Sequence, residues 1–127
     1  MIVVDTSVWV AARRKPSGVL ASTLRELLDA DEVALALPVR IELAASVASK
    51  DRSAFKRALA ALPVVVPSPS TWQIVERWIE PAADAGHRFG LKDLPIAALA
   101  DEIGGLVWSL HSDFERMAAL KLVGLYG

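Results

Sequence analysis

Val33-Ala34-Leu35-Ala36-Leu37-Pro38 is an unbroken apolar run, preceded by Asp31 and Glu32 and closed by a proline. A strand with one wet face alternates apolar and polar residues, whereas a run without alternation is what a strand buried on both faces of a parallel sheet shows. Upstream, the β-branched Met1–Val4 reads as a strand ending at Asp5, and Val8-Trp9-Val10-Ala11-Ala12 continues into a helical turn. Leu20, Leu24, Leu27 and Leu28 then recur at the spacing of an amphipathic helix. Downstream, Arg40–Ser49 and Asp51–Leu62 read as two helices, the second carrying Phe55, Leu59 and Leu62 on one side, and Val64–Val66 reads as a third strand. The turn residues Pro67-Ser68-Pro69-Ser70 precede a helix with Trp72, Val75 and Ile79 on one face. A glycine-punctuated link leads to Asp93, a helix from Leu94 to about Ile103 and a fourth strand at Leu106–Trp108. From Asp113 the tail is helix plus a final apolar segment. Strands alternating with helices predict an α/β fold with a parallel sheet covered on both faces.

The 127 residues suit one domain, 1–127, and 54% hydrophobic with 23% charged residues is too apolar for disorder. The chain has no cysteine, so a thiolate metal site and a disulfide framework are both excluded. It shows no leader, and no apolar run approaches the roughly 20 residues of a membrane helix, so the expected location is the cytoplasm, away from the membrane. A net charge of −1 argues against coating nucleic acid through a broad basic surplus. Local basic patches remain at Arg13, Arg14 and Lys15, and at Arg88 with Lys92.

In parallel sheets ligands collect at the carboxyl ends of the strands, near the point where strand order reverses. Asp5 follows the first strand, Glu42 lies in the helix after the second, Asp93 starts a helix, and Asp113 comes shortly after the fourth strand. Carboxylates gathered there suit a hard divalent cation such as Mg²⁺, which can acidify a bound water and neutralise charge developing on a phosphodiester. Each acid also has a structural role open to it. Asp5 and Asp93 stand where helix caps stand, Asp113 can cap the terminal helix, and Glu42, among small apolar neighbours, needs a partner if buried. The four tryptophans invite base stacking, but Trp72 and Trp78 are six residues apart on one helix and Trp108 ends a core strand, so packing is the expected role for most of them.

Met1-Ile2-Val3-Val4-Asp5-Thr6-Ser7-Val8-Trp9 closely resembles the opening of PIN-domain ribonucleases, especially the VapC toxins of prokaryotic toxin–antitoxin pairs. Pro38–Ala44, with Arg40 and Glu42, resembles that family's second acidic motif, and Gly90-Leu91-Lys92-Asp93-Leu94-Pro95-Ile96-Ala97-Ala98 its third. The fourth motif departs from the pattern. Ser109 matches the usual hydroxyl and Asp113-Phe114 the usual pair, but His111 stands where an acid is expected.

The resemblance implies a three-layer α/β/α sandwich and Mg²⁺- or Mn²⁺-dependent endoribonucleolytic cleavage of RNA. It also implies a homodimer and a cognate antitoxin that blocks the site. On this reading Asp5 and Asp93 bind the metal, Glu42 positions water or metal, and Asp113 completes the catalytic set. His111 motivates an alternative, a catalytically weak or inactive PIN-like module that binds RNA or protein. A phosphate-accepting receiver fits less well, because no acid follows Val64–Val66 until Glu76.

Overall fold

The strand Ile2–Val4 (β1) lies at the centre of a five-stranded parallel sheet in the computed structural model, which describes all residues 1–127. Val33–Ala36 (β2) and Val64–Val65 (β3) extend the sheet on one side of it, and Leu106–Trp108 (β4) and Gly124–Leu125 (β5) on the other, in the order β3-β2-β1-β4-β5. The expected final apolar segment thus supplies a fifth strand. Chain order runs outward from β1 to β3, then returns to β4 beside β1. The carboxyl ends of β1 and β4 therefore flank the crevice where parallel sheets bind ligands.

Alternation along β1 divides the interior into two layers. Ile2 and Val4 form a six-residue cluster with Val33, Val8 of α1 (Thr6–Arg14) and Leu24 and Leu27 of α2 (Val19–Asp29). Val3 joins the larger cluster of 22 residues, built with α3 (Leu37–Ser46), α4 (Arg52–Leu59), α5 (Pro69–Asp84), α6 (Leu94–Glu102) and α7 (Ser112–Ala119). This is the three-layer sandwich. α6 is buried along Leu94–Ala100, so its small and aliphatic residues leave no wet face until Asp101. No helix is long and apolar enough to cross a membrane.

Several boundaries differ from the sequence reading. β2 ends at Ala36, and Leu37 opens α3, because Pro38 is accommodated in a helix's first turn, where an N–H has no intrahelical partner anyway. That helix stops at Ser46, and the next is a short 3-10 turn, Ser49–Asp51, followed by α4, which ends three residues before Leu62. On α5 the buried residues are Thr71, Ile74, Val75, Trp78 and Ala82, whereas Trp72 and Ile79 are 44% and 58% exposed. Two stripes one residue apart satisfy the same periodicity. The rotation is set by tertiary hydrogen bonds, since Ser70 and Thr71 both donate to Glu102 at the end of α6, and Thr71 is fully buried.

Gly105 stands at the entry to β4, where space is tight. A Cβ placed there would lie 2.5 Å from the carbonyl oxygen of Met1, which accepts the ladder bond from Leu106. Gly105→Ala must push β4 away from β1, and we expect it to lower stability by about 1–3 kcal/mol, the usual range for overpacking. A denaturant midpoint equal to that of the unmodified chain would show that the two strands can separate freely here.

Candidate active site

The β1–β4 crevice is closed at its base by the hydrogen bonding of Asp5. Its backbone N–H donates to the Trp108 carbonyl at 2.8 Å, continuing the ladder one residue past β1. Its side chain caps α1, with Oδ2 accepting from the Ser7 amide (3.3 Å), the Ser7 hydroxyl (2.7 Å) and the Ser109 hydroxyl (2.8 Å). Each serine also accepts one bond, Ser7 from the Leu110 amide (3.0 Å) and Ser109 from the His111 amide (2.9 Å). A hydroxyl has one proton to give, so both are committed to Asp5. All three bonds fall on Oδ2, and Asp5 lines the cleft.

Asp93 enters the same cleft from the residue preceding α6. It makes no side-chain cap bond, so the capping role open to it is not taken; Asp5, by contrast, both caps and lines the site. Burial raises the Asp93 carboxyl above its ordinary pKa; His111 and Lys92 pull the other way, and the charges of Asp5 and Asp113 push further up. Negative charge is therefore crowded here in a partly desolvated place, the electrostatic condition that a cation relieves.

His111 and Asp113 complete the crowd. The imidazole Nδ1 lies 3.6 Å from Asp93 Oδ2 and 3.9 Å from Asp113 Oδ2. Arg116, one turn on, holds Asp113 Oδ1 at 2.8 Å and the Ser112 hydroxyl at 3.0 Å, which steadies the carboxylate with its other oxygen toward His111. One donor atom from each of Asp93, His111 and Asp113 falls within 4.8 Å of the others. Donors at about 2.1 Å from a six-coordinate divalent cation stand about 3.0 Å apart at right angles and about 4.2 Å apart across the ion, and the His111 separations of 3.6 and 3.9 Å lie between these.

Glu42 is set apart from these three. It sits in a shallow groove with Pro38, Ile41 and Leu91, 3.3 Å from Lys92 Nζ, and Lys92 lines both that groove and the acidic cleft. Glu42 is only half-buried, so it does not require the partner that burial would demand, and its ion pair is with Lys92, next in sequence to Asp93. Of the five flanking cations, Arg14, Lys15 and Lys92 line the cleft of about 770 Å³. Arg13 borders a separate hollow with Ser46 and Asp51, and Arg88 a groove along α5.

Sequence reasoning passed over Ser7 and Arg116. The Asp113–Arg116 spacing of three on a helix was the available signal for the second. Three tryptophans pack: Trp78 in the core, Trp9 with its indole N–H on the Val4 carbonyl at 3.2 Å, and Trp108 against Tyr126. Trp72 is the exposed one.

A family model described as PIN domain matches residues 2–120. No curated protein gives a significant match. Among solved structures, VapBC2 from Rickettsia felis bound to a DNA fragment from its promoter is similar at 19% identity and a TM-score of 0.78, covering 99% of this chain and 98% of that one. VapBC-1 from nontypeable Haemophilus influenzae is similar at 17% identity and a TM-score of 0.77, covering 99% and 97%. VapBC-5, described as a member of a toxin–antitoxin family, from Mycobacterium tuberculosis, is similar at 24% identity and a TM-score of 0.65, covering 91% and 88%. At these identities the structural likeness speaks to the fold.

Proposed function

The chain belongs to the PIN-domain family, a family of nucleases, and from its acidic cleft we propose that it is a divalent-metal-dependent endoribonuclease, the toxin of a type II toxin–antitoxin pair. The observation that carries the reading is that buried Asp5 and Asp93 line one cleft at the β1–β4 switch point, edged by Arg14, Lys15 and Lys92.

Asp5 and Asp93 are the residues that would hold Mg²⁺ or Mn²⁺, with Asp113 completing the set. When bound, such a cation supplies Lewis-acid chemistry, lowering the pKa of water and stabilising negative charge on the phosphodiester. The protein's own groups divide the remaining work. Ser7 and Ser109 orient Asp5, Arg116 orients Asp113, and Lys92, held by Glu42, offers a cation beside the acids to a backbone phosphate the carboxylates would otherwise repel. Glu42 acts through Lys92 or on water at the rim. A cognate antitoxin is proposed because the fold is shared with VapBC assemblies, one of them described as a toxin–antitoxin system, and a homodimer because the resemblance to VapC toxins implies one.

The test is cleavage of a structured RNA by the chain freed of any partner, with Mg²⁺, with Mn²⁺ and with chelator, alongside a DNA of the same sequence. Cleavage of RNA alone, lost in chelator and restored by metal, is the expected result. Chelator-resistant cleavage, or none in any metal, would sink the reading. RNA binding without cleavage would favour the weak-module alternative that His111 in an acid's place suggests.

A further inference from the structure

His111 occupies the N-cap position of α7 yet makes no cap bond with its side chain. The imidazole is instead turned toward the two acids, Nδ1 standing 3.6 Å from Asp93 Oδ2 and 3.9 Å from Asp113 Oδ2. Its backbone is held there by the His111 amide bond to Ser109 Oγ, itself tied to Asp5. Two separations near 3.7 Å lie between the about 3.0 Å of adjacent and the about 4.2 Å of opposite octahedral donors, and near the about 3.4 Å of tetrahedral ones. We infer that His111 Nδ1 is a metal ligand, making an N,O,O donor set with Asp93 and Asp113, and that the site therefore selects a first-row transition cation over Mg²⁺.

The physical reason is ligand softness. Mg²⁺ takes oxygen almost exclusively and keeps its waters, whereas imidazole nitrogen is a good donor to Mn²⁺ through Zn²⁺, with affinity rising along that series. A carboxylate at position 111 would add charge and suit Mg²⁺; a neutral imidazole removes one charge and adds a softer donor. The inference rests on the proposed metal-dependent function but concerns which ion the chain's residues prefer.

Mn²⁺, the weakest binder of the series, is the stringent probe, because its electron spin reports directly on bound nitrogen. The chain has two histidines, and His87 stacks on Phe89 in the α5 groove, so a nitrogen signal is assignable. Electron spin-echo modulation of the Mn²⁺-loaded chain should show ¹⁴N coupling that disappears in His111→Asp and His111→Gln and persists in His87→Asn. Competition titration should show the Mn²⁺-to-Mg²⁺ affinity ratio falling on the order of tenfold or more in His111→Asp. The His111 side chain is 57% exposed, so His111→Gln should still fold, whereas His111→Asp adds a charge to the acidic crowd and should melt lower than the parent in chelator.

Bound Mn²⁺ without nitrogen modulation, or an unchanged ratio in His111→Asp, would overturn the assignment while leaving a carboxylate metal site and the nuclease reading intact. Absence of any Mn²⁺ binding would overturn both.

Discussion

Asp93→Asn is expected to abolish cleavage while raising the melting temperature of the metal-free protein. The first effect follows from removing a charged ligand of the proposed metal site, and should exceed the about 10²- to 10³-fold loss seen when one preorganised stabilising group is removed. The second follows from electrostatics. Burial is the main cause that raises the Asp93 carboxyl, with His111 opposing it and the Asp5 and Asp113 charges adding to it.

A raised folded-state pKa means that folded Asp93 keeps its proton where unfolded Asp93 has lost it. Its contribution to stability is therefore full below the ordinary carboxylate range and is lost as pH rises through the folded value. Asparagine cannot ionise, so the variant should escape that loss, and the gap between variant and parent should widen from acid to neutral pH. Divalent cation at a concentration that saturates the parent should reverse the order, since the parent binds it more tightly and gains more. Chemical denaturation across that pH range, with chelator and with metal, measures all three. A variant less stable than the parent in chelator at neutral pH would contradict the account of crowded charge.

Phe114→Ala is expected to lower stability by about 3–5 kcal/mol, the usual cost of emptying a buried aromatic site. Phe114 is 1% exposed in the larger core, and its amide donates to the His111 carbonyl at 3.2 Å. It is thus the anchor of α7, the helix that presents His111 and Asp113 to the cleft. With total stabilities of about 5–15 kcal/mol typical of domains, such a loss consumes a large share of the whole. Metal affinity should fall with it, although the ring lines no part of the cleft, because the helix start is no longer held against the sheet. A loss under about 1 kcal/mol would show that α7 is secured elsewhere.

Much of the fold was legible because its signals are local. The unalternating run at Val33–Ala36 can be satisfied only between two covering layers, and the leucines of α2 mark one face by spacing alone. Asp5 and Asp93 were legible for a related reason: each follows or opens an element whose end is marked by composition, and parallel sheets gather such ends. The face of α5 was not legible, since two stripes one residue apart both satisfy the period, and hydrogen bonds to Glu102, distant in sequence, choose between them.

The chain's residues determined by themselves that this is a parallel α/β domain with carboxylates at its strand exits, because periodicity, proline placement and element ends depend on near neighbours along the backbone. Only the tertiary structure decided which of those groups meet. Folding brings His111 within reach of Asp93 and Asp113, locks Asp5 through Ser109, and gives Glu42 to Lys92 instead of to the acidic crowd. The reason is that Coulombic and hydrogen-bond partners are set by distance in space, and the β1–β4 pairing places residues about a hundred positions apart within hydrogen-bond reach of each other.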